Sequence, residues 1–374
     1  MLRIGIVAEY NPFHRGHEYQ IQYAKNVLKA EEVVVIMSGN FTQRGLPAIC
    51  DKDLRGKAAV LAGADIVLEM PPTVAVADTP MFAQGAIDIL IEYGCNALLF
   101  GSENDDLEKF EEIAEVFAEK EYWKTFDLLI QQGLTTDEAR ICIVKEKVKN
   151  KYAEYDFINQ PNNLLGIYYI SALIRRKANI KVFTNKRLGQ NYFDILLPTR
   201  GEFASATAIR KMISMQVKEH GKLEKGKLEK YLPKIMCEGI EKAWRENALV
   251  FVDDFSMAYR KAMQEVSDSL WENICPQISR EEVLHEIYEH NTYAKNIFLQ
   301  YVSELKAHRM INWLLLGLRQ MNMEEFLALD HIGWKLIASK DDGVERKHYY
   351  SEMLQKEWAR IDFVYQNIVE EREL

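Results

Sequence analysis

The sequence predicts an α/β protein whose N-terminal part is a parallel sheet and whose C-terminal part is mainly helical. Over the first hundred residues, short hydrophobic runs alternate with helical segments. The runs are apolar at successive positions, as strands are when helices cover both faces of a parallel sheet. After about residue 240 helical patterns predominate, and no internal repeat is visible.

Each element of the predicted sheet has its own signal. The predicted strands are Leu2–Ala8, Glu32–Met37, Asp65–Glu69, Asn96–Phe100 and Lys181–Phe183. The predicted helices are His17–Leu28, Asp51–Leu61, Pro80–Tyr93, Asn162–Arg176 and Ser205–Met215. Polar residues and a proline stand where these helices begin, as is typical of helix starts. The alternation is that of a Rossmann-like sheet.

An acidic segment interrupts this alternation between about residues 105 and 150. Its apolar residues, among them Phe110, Ile113 and Phe117, recur at three-to-four spacing, which predicts amphipathic helices. A chain of 374 residues exceeds the usual size of one domain. We therefore predict a domain over residues 1–240, which includes this insertion, and an α-helical domain over residues 241–374.

Cysteine usage and hydropathy favour a cytoplasmic protein. The five cysteines are odd in number, scattered and free of any CxxC spacing, which argues against a disulfide framework or a zinc site. The run Met310–Leu318 is among the most apolar, yet it contains Asn312 and has half the length needed to cross a bilayer. We expect neither a membrane span nor a protein-bound zinc ion.

Charge is distributed unevenly along the chain. The net charge is −9, but residues 151–250 carry 18 Lys and Arg against 10 Asp and Glu. A solvated helical surface explains this excess as well as a phosphate-attracting face does. Under the second interpretation we expect a polyanion to contact the basic residues Arg175, Arg176, Lys177, Lys211 and Lys218.

The segment EYNPFHRGH, residues 9–17, lies where the first predicted strand meets the first helix. Ligands bind at that edge of an α/β sheet, and a helix N-terminus offers free N–H groups to phosphate. His14 and His17 lie on one side of the first turn, where each can donate a hydrogen bond as charge moves to a leaving pyrophosphate. Two histidines at a surface turn can also be plain polar caps.

A second anion-binding pattern, SATAIR, occupies residues 205–210. Hydroxyl side chains open a predicted helix there, and Arg210 follows on its first turn. The order of HxGH near the start and SxTxIR about 190 residues later resembles the paired signatures of the HIGH-motif nucleotidyltransferase superfamily. The resemblance implies attack on the α-phosphate of ATP, with His14, His17, Thr207 and Arg210 as the catalytic residues.

Further segments narrow the resemblance to the tRNA(Met) cytidine acetate ligase family. They are residues 9–17, 37–45, 47–52, 82–86, 100–103, 161–166 and 205–210. The resemblance is dense up to residue 105 and fades after residue 210. It implies that ATP and acetate form acetyl-adenylate, and that the acetyl group passes to N4 of the wobble cytidine of elongator tRNA(Met).

The same resemblance implies an ATP site. Its members would be Val7, Ala8, Glu9, Tyr10, Asn11, Pro12, Phe13, His14, Arg15, Gly16, His17, Glu18, Tyr19, Gln20, Gly101, Asn162, Arg187 and Ser205. Gly101 would let the backbone approach the adenosine, Asn162 would bond a base or ribose edge, and Arg187 would bind phosphate. A plain N-cap explains Asn162 equally well, and a turn explains Gly101.

Polar residues that follow the second strand are candidates for the acetate site. They are Ser38, Gly39, Asn40, Gln43 and Arg44. They should face the crevice at the strand ends, whereas Asp51 caps the next helix. Magnesium is expected to accompany ATP, although no carboxylate cluster in the sequence identifies its ligands.

Two C-terminal patterns carry less weight. His285 and His290 are five residues apart, which puts them on different faces of a helix and favours a solvated surface over a metal site. In the resembling family an arginine-rich helix faces tRNA. The corresponding stretch here, residues 306–312, is poorer in charge.

Two other functions fit parts of the pattern. A nucleotidyltransferase would keep the HIGH site but move AMP or CMP onto a phosphorylated small molecule. A non-catalytic module that only binds a nucleotide or RNA would not have to retain both phosphate-binding signatures. The intact set of His14, His17, Thr207 and Arg210 favours an enzyme.

Overall fold

A computed structural model of the chain describes residues 1–148, 155–186, 197–198, 203–251, 256–288, 297–321, 323–329, 332–340 and 352–370. Its strands are β1 (Arg3–Ala8), β2 (Glu32–Met37), β3 (Ile66–Glu69), β4 (Ala97–Ser102), β5 (Lys181–Lys186) and β6 (Lys335–Ser339). They form one sheet in the order β5-β4-β1-β2-β3-β6. The first five strands are parallel, and β6 is antiparallel to β3.

The order of the five parallel strands is that of the first five strands of a Rossmann fold, so the predicted fold class is confirmed. The chain runs outward from β1 to β2 and β3, then crosses back to β4 and β5. This reversal leaves a crevice beyond the carboxyl ends of β1 and β4, which is where such sheets bind ligands. The antiparallel strand β6 was not predicted from the sequence.

Helices flank the sheet and continue beyond it. In the N-terminal part they are α1 (Arg15–Asn26), α2 (Lys52–Leu61), α3 (Pro72–Ala75), α4 (Thr79–Glu92), α5 (Leu107–Ala118), α6 (Lys120–Gln131), α7 (Thr136–Lys147), α8 (Tyr155–Asn159) and α9 (Pro161–Arg175). Later helices are α10 (Ala206–Lys218), α11 (Lys225–Leu228), α12 (Lys234–Arg245), α13 (Ser256–Glu265), α14 (Asp268–Ile274), α15 (Arg280–Tyr288), α16 (Glu304–Leu316), α17 (Met323–Leu327) and α18 (Glu352–Glu370).

Successive strand residues enter different cores. Val33 and Val35 of β2 belong to one buried cluster, whereas Val34 and Ile36 belong to another on the opposite face. This burial of both faces explains why the strands are continuous apolar runs. A third cluster joins the C-terminal helices to Phe41, so these helices pack against the loop that follows β2.

A buried arginine ties together the ends of the two central strands. Arg55 of α2 has no exposed surface. Its guanidinium donates to four carbonyl oxygens, those of Cys50 at 3.1 Å, Glu9 at 2.7 Å, Ser38 at 3.1 Å and Gly39 at 2.6 Å. The loops after β1 and β2 therefore leave the sheet in fixed directions.

Replacing Arg55 by Met should lower the free energy of unfolding by about 3 kcal/mol or more, because each buried carbonyl left without a donor costs about 1–3 kcal/mol. Urea denaturation measures this change. The matched control is Arg245→Met, since Arg245 is 69% exposed and pairs only with Glu241 in a surface ion pair. Its removal should cost less than about 1 kcal/mol. Equal losses in the two variants would contradict this account of Arg55.

Candidate active site at the carboxyl edge of the sheet

A cleft opens beyond the carboxyl ends of β1, β4 and β5. Residues that line it come from β1 and the loop after it, from α1, from β4 and from the start of α9 and α10. Val7 and Ala8 end β1, and Gly101 lies near the end of β4 beside Asn185 of β5. The cleft therefore occupies the switch point that the strand order creates.

Three helix N-termini border this cleft. His14 and Gly16 represent the start of α1, Asn162 that of α9, and Ser205 with Thr207 that of α10. The first N–H groups of a helix lack partners within the helix and carry partial positive charge. Their convergence favours an anionic ligand such as a polyphosphate.

The turn between β1 and α1 is held by its own side chains. Tyr10 has a φ angle of 51°, and the Asn11–Pro12 peptide bond is cis. The Asn11 side chain accepts a hydrogen bond from Ile49 N at 2.9 Å and donates to Pro47 O at 3.5 Å. These contacts tie the turn to the loop after β2, which also borders the cleft.

The two histidines of the HxGH motif form a stacked pair. Their ring centroids are 3.6 Å apart with an interplanar angle of 21°. His14 caps α1, and its Nδ1 accepts from Gly16 N at 3.1 Å. His17 Nδ1 accepts from His14 N at 3.3 Å. Because both Nδ1 atoms are acceptors, the proton of each neutral ring lies on Nε2, which makes Nε2 the donor.

The second signature contacts the first directly. Arg210 Nη1 donates to the carbonyl oxygen of Asn11 at 2.6 Å, and Nη2 donates to Thr207 Oγ1 at 3.2 Å. Ser205 caps α10, accepting from Ala208 N at 3.0 Å. Two segments about 190 residues apart in sequence thus form one wall of the cleft.

The start of α9 is capped by a carboxylate from β4's end. Glu103 accepts from the backbone N of Asn162 at 3.3 Å and of Asn163 at 2.9 Å, and from the Asn162 side chain. The N-cap position itself is Gln160, which makes no side-chain cap bond. Asn162 is therefore not the N-cap, and it lines the cleft.

Most residues of the implied ATP site line the cleft, and some do not. Those that line it are Val7, Ala8, Glu9, Tyr10, Asn11, His14, Gly16, His17, Tyr19, Gln20, Gly101, Asn162 and Ser205. Pro12, Phe13, Arg15 and Glu18 lie outside its lining. Phe13 is fully buried in the core beneath the motif, and exposed Arg15 donates to Glu229 O at 2.9 Å. Arg187 lies outside the described residues.

Of the five acetate candidates, Gln43 lines the cleft. Ser38, Gly39, Asn40 and Arg44 lie outside its lining. Asn40 instead bonds Lys52 N at 3.3 Å and Asp362 at 3.4 Å. A Cβ on Gly39 would lie 2.2 Å from a Glu69 carboxylate oxygen. Asn40 and Gly39 therefore pack against the ionic cluster of Lys52, Glu69 and Asp362, the last of which lies on α18.

Sequence reasoning missed several lining residues. Asn185 of β5 is one of them. It is 8% exposed, and its Oδ1 makes no hydrogen bond to the described residues. The sequence signal that could have identified Asn185 is its place as a polar residue near the end of a strand.

The hydroxyl of Tyr10, a member of the implied ATP site, is also buried without a partner in the part of the chain that the structure describes. Burial raises the pKa values of Tyr10 and Tyr169, another lining residue, so both phenols stay neutral.

Two of the five basic residues expected to contact a polyanion are used within the protein. Arg175 donates to Gln84 Oε1 at 2.9 Å, Ser171 Oγ at 2.6 Å and Phe117 O at 3.1 Å. Arg176 forms a bidentate pair with Asp88. The expected role of Arg175 is corrected, because its remaining guanidinium nitrogen, Nη2, is buried. Arg176 stays exposed with its charge paired. Lys177, Lys211 and Lys218 are exposed.

The structure also locates residues of the two C-terminal sequence patterns. His285 lies on α15, and His290 falls outside the described residues. Lys306 of α16 is exposed, but Arg309 is only 9% exposed and points inward. Within the described ranges, no three His, Cys, Asp or Glu residues cluster as metal ligands would, and no helix has the length and apolarity to span a membrane.

Solved structures of other proteins share this architecture. Thermotoga maritima TmcAL bound with alpha-thio ATP is 26% identical with a TM-score of 0.71, and the match covers 86% of this chain and 76% of that one. The apo form of the same Thermotoga protein is 24% identical with a TM-score of 0.77, which shows the common fold.

Comparison of sequences identifies further relatives. A tRNA(Met) cytidine acetate ligase of Caldanaerobacter subterraneus is 38% identical over 263 residues, 68% of this chain and 62% of the relative. The match to the enzyme so named of Caldicellulosiruptor saccharolyticus, 42% identical, covers 57% of this chain and 52% of that one, so it spans about half of the relative's length.

A longer match includes most of a relative. The tRNA(Met) cytidine acetate ligase of Thermosipho africanus is 33% identical over 327 residues, covering 83% of this chain and 74% of the relative. The HIGH Nucleotidyl Transferase family pattern matches residues 1–351. The chain belongs to the HIGH nucleotidyltransferase family and, within it, to the tRNA(Met) cytidine acetate ligase family.

Proposed function

We propose that this protein is an ATP-dependent ligase that joins acetate to N4 of the wobble cytidine of elongator tRNA(Met). The observation that carries the proposal is the stacked pair of His14 and His17 at a helix N-terminus, bonded so that each Nε2 is a donor. The names of the family relatives support a tRNA(Met) cytidine as the acetyl acceptor. The ATP analogue bound by the Thermotoga protein supports ATP as the nucleotide.

In the first step, an acetate oxygen attacks the α-phosphate of ATP, and the bond to the bridging oxygen of pyrophosphate breaks. Negative charge grows on the leaving pyrophosphate. The Nε2–H groups of the two histidines and the Arg210 guanidinium are preorganised donors for that charge. The products are acetyl-adenylate and pyrophosphate, and no residue forms a covalent bond.

In the second step, the N4 amine of the cytidine attacks the acetyl carbonyl carbon. The bond to the AMP oxygen breaks, the nitrogen loses a proton, and AMP leaves. Glu9 is the carboxylate in the described lining of the cleft, and its Oε1 accepts from Gln43 N at 3.0 Å. It is the group there best suited to accept that proton.

The nucleoside end of ATP fits the opposite side of the cleft. Asn185 Oδ1 is a buried acceptor that lacks a donor among the described residues, and the exocyclic amine of adenine or a ribose hydroxyl would supply one. Gly101, next to it in the sheet, presents no side chain to a base or sugar. Asn162, fixed by Glu103, adds a second amide.

Magnesium would be held chiefly by phosphate oxygens and water in this site. Mg²⁺ commonly uses one or two carboxylates together with substrate phosphates. The described lining offers Glu9 alone among carboxylates, which suits such a substrate-bound ion and not an all-protein cage. The ion would supply charge neutralisation on the phosphates.

A pyrophosphate exchange assay separates this proposal from its two rivals. Acetate-dependent exchange of labelled pyrophosphate into ATP is expected for the ligase. Exchange that depends on a phosphorylated small molecule would indicate a nucleotidyltransferase. Absence of exchange with every carboxylate and phosphorylated acceptor would leave a binding module.

Replacing His14 or His17 by Ala should each lower the rate of acetate-dependent exchange by about 100-fold or more, as the loss of one preorganised transition-state donor does. Circular dichroism should show an unchanged fold, because both rings lie at a cleft wall. Tyr23→Phe, on the same helix but outside the cleft lining, is the control. Near-normal exchange in either folded histidine variant would sink the proposal.

Acetate with ATP should suffice as the acetyl donor. The site offers donors for a polyphosphate and a leaving pyrophosphate, which acyl transfer from acetyl-CoA does not need. The measurement is transfer of labelled acetate to tRNA(Met) with ATP and, separately, of labelled acetyl-CoA without ATP. Transfer from acetyl-CoA that ignores ATP would count against the mechanism.

Replacing exposed Lys177, Lys211 and Lys218 together by Glu should depress acetyl transfer to tRNA while sparing acetate-dependent exchange. Phosphate contacts position the RNA and make its binding salt-dependent, but they take no part in activation. Filter binding at several salt concentrations should show a shallower slope for the variant. Parent-like binding and transfer would place the tRNA surface elsewhere, for example near exposed Lys306.

A further inference from the structure

The loop after β2 carries one residue into the cleft and is held from behind by the C-terminal helices. Gln43 is that residue, and its backbone N donates to Glu9 Oε1 at 3.0 Å. On the other side, Phe41 packs in the buried cluster of the C-terminal helices, with its ring centroid 6.5 Å from that of Tyr365. The Tyr365 hydroxyl donates to Ala48 O at 2.9 Å.

Arg309 of α16 reaches Gln43 from this rear side. Its Nε donates to the backbone oxygen of Gln43 at 3.0 Å. When the Gln43 amide oxygen faces the surrounding donors, it accepts from Arg309 Nη2 at 2.6 Å and from Thr79 Oγ1 at 3.2 Å. One guanidinium therefore holds both the main chain and the side chain of the same residue.

The backbone of α16 approaches the loop closely. Gly45 has a φ angle of 66°, and a Cβ there would lie 2.7 Å from Arg309 N and 2.8 Å from the carbonyl carbon of His308. Trp313 Nε1 donates to Val76 O at 3.2 Å, which anchors the same helix to the segment after α3. The position of Arg309 is thus fixed by packing on both sides of it.

Two nearby carboxylates offset the positive charge of Arg309. Arg309 is 9% exposed, and burial lowers its pKa, whereas the nearby Asp78 and Glu9 carboxylates raise it. The buried position excludes Arg309 itself from the tRNA-binding role that the corresponding family stretch suggested for residues 306–312. A buried, forked donor is instead suited to orienting another group.

We propose that Arg309 is a positioning residue that fixes Gln43 so that its amide NH2 group meets the carboxylate of acetate. The inference rests on the proposed ligase function. In that orientation the Gln43 oxygen accepts from Arg309 and Thr79, and the NH2 group lies on the side of the amide that faces acceptors, where one of its two N–H groups can meet a carboxylate oxygen. The Gln43 backbone N–H donates to Glu9 Oε1, which fixes the residue from the cleft side as well.

The test is acetate-dependent pyrophosphate exchange by full-length variants. Arg309→Met and Arg309→Lys should each lower kcat/KM for acetate by about 10-fold or more, because Lys cannot donate to two acceptors in fork geometry. KM for ATP should change by less than about twofold, since no hydrogen bond among the described residues joins Arg309 to an ATP candidate. Arg319→Met is the matched control, as Arg319 is 65% exposed and pairs with Glu325.

A double-mutant cycle distinguishes positioning from general support of the fold. In a Gln43→Met background, Arg309→Met should cause little further loss, because both changes remove the same interaction. Additive losses, equal losses for acetate and ATP, or parent-like kinetics in Arg309→Met would overturn the inference. If Arg309→Met fails to fold, the Arg309→Lys and Gln43→Met variants and their double mutant give the same cycle.

The proposed function and this inference fail in different ways. Absence of acetate-dependent exchange in the unmodified protein refutes the ligase function. Normal exchange in the unmodified protein together with unaltered acetate kinetics in the Arg309 variants refutes only the positioning role.

Discussion

The site depends on one buried cation. Arg55 has no exposed surface and donates to four carbonyl oxygens where the chain leaves β1 and β2. A buried charge is costly unless its donors are satisfied, and carbonyl oxygens at loop ends are acceptors that otherwise lack partners. Meeting both needs at once fixes the directions of the two loops. The HxGH turn and the Gln43 loop begin from these points.

Fixed loops allow the C-terminal helices to contribute to a cleft that they do not line. In its described residues the cleft is lined by segments up to Arg210. Asp362 of α18 nevertheless pairs with Lys52 Nζ at 2.6 Å, at the start of the helix that carries Arg55. Arg309 holds Gln43 in the same manner. The C-terminal helices are therefore bonded to the elements that border the carboxyl edge of the sheet.

The sequence predicts the parts that depend on local pattern. The strand Glu32–Met37 agrees in both bounds, and Ser205 and Asp51 cap the helices that they were expected to start. Continuous apolar runs and capping residues are local properties, so they can be read without tertiary contacts. Histidines placed at the end of the first strand reach the cleft for the same reason.

Tertiary pairing decides the rest. Strand β6 lies within a segment of helical character and becomes a strand by pairing with β3, about 270 residues earlier in the chain. Arginine is usually a surface residue, but Arg309 is buried because it packs against the loop after β2. Asn185 is identified by an acceptor without a partner, a property that exists only once the chain has folded. Propensity cannot predict such features.

The acidic chain can bind a polyanion because the field at the cleft is local. The net charge of −9 belongs to the whole molecule and is screened over about 10 Å at moderate salt. At the cleft, the N-terminal ends of α1 and α10, Arg210 and two Nε2–H groups face one carboxylate, Glu9, in the described lining. Backbone N–H groups donate to both Nδ1 atoms, so each imidazole presents its donor at Nε2. In its described lining the site thus presents oriented dipoles and one fixed guanidinium, an arrangement that stabilises charge as it develops without requiring a proton to move.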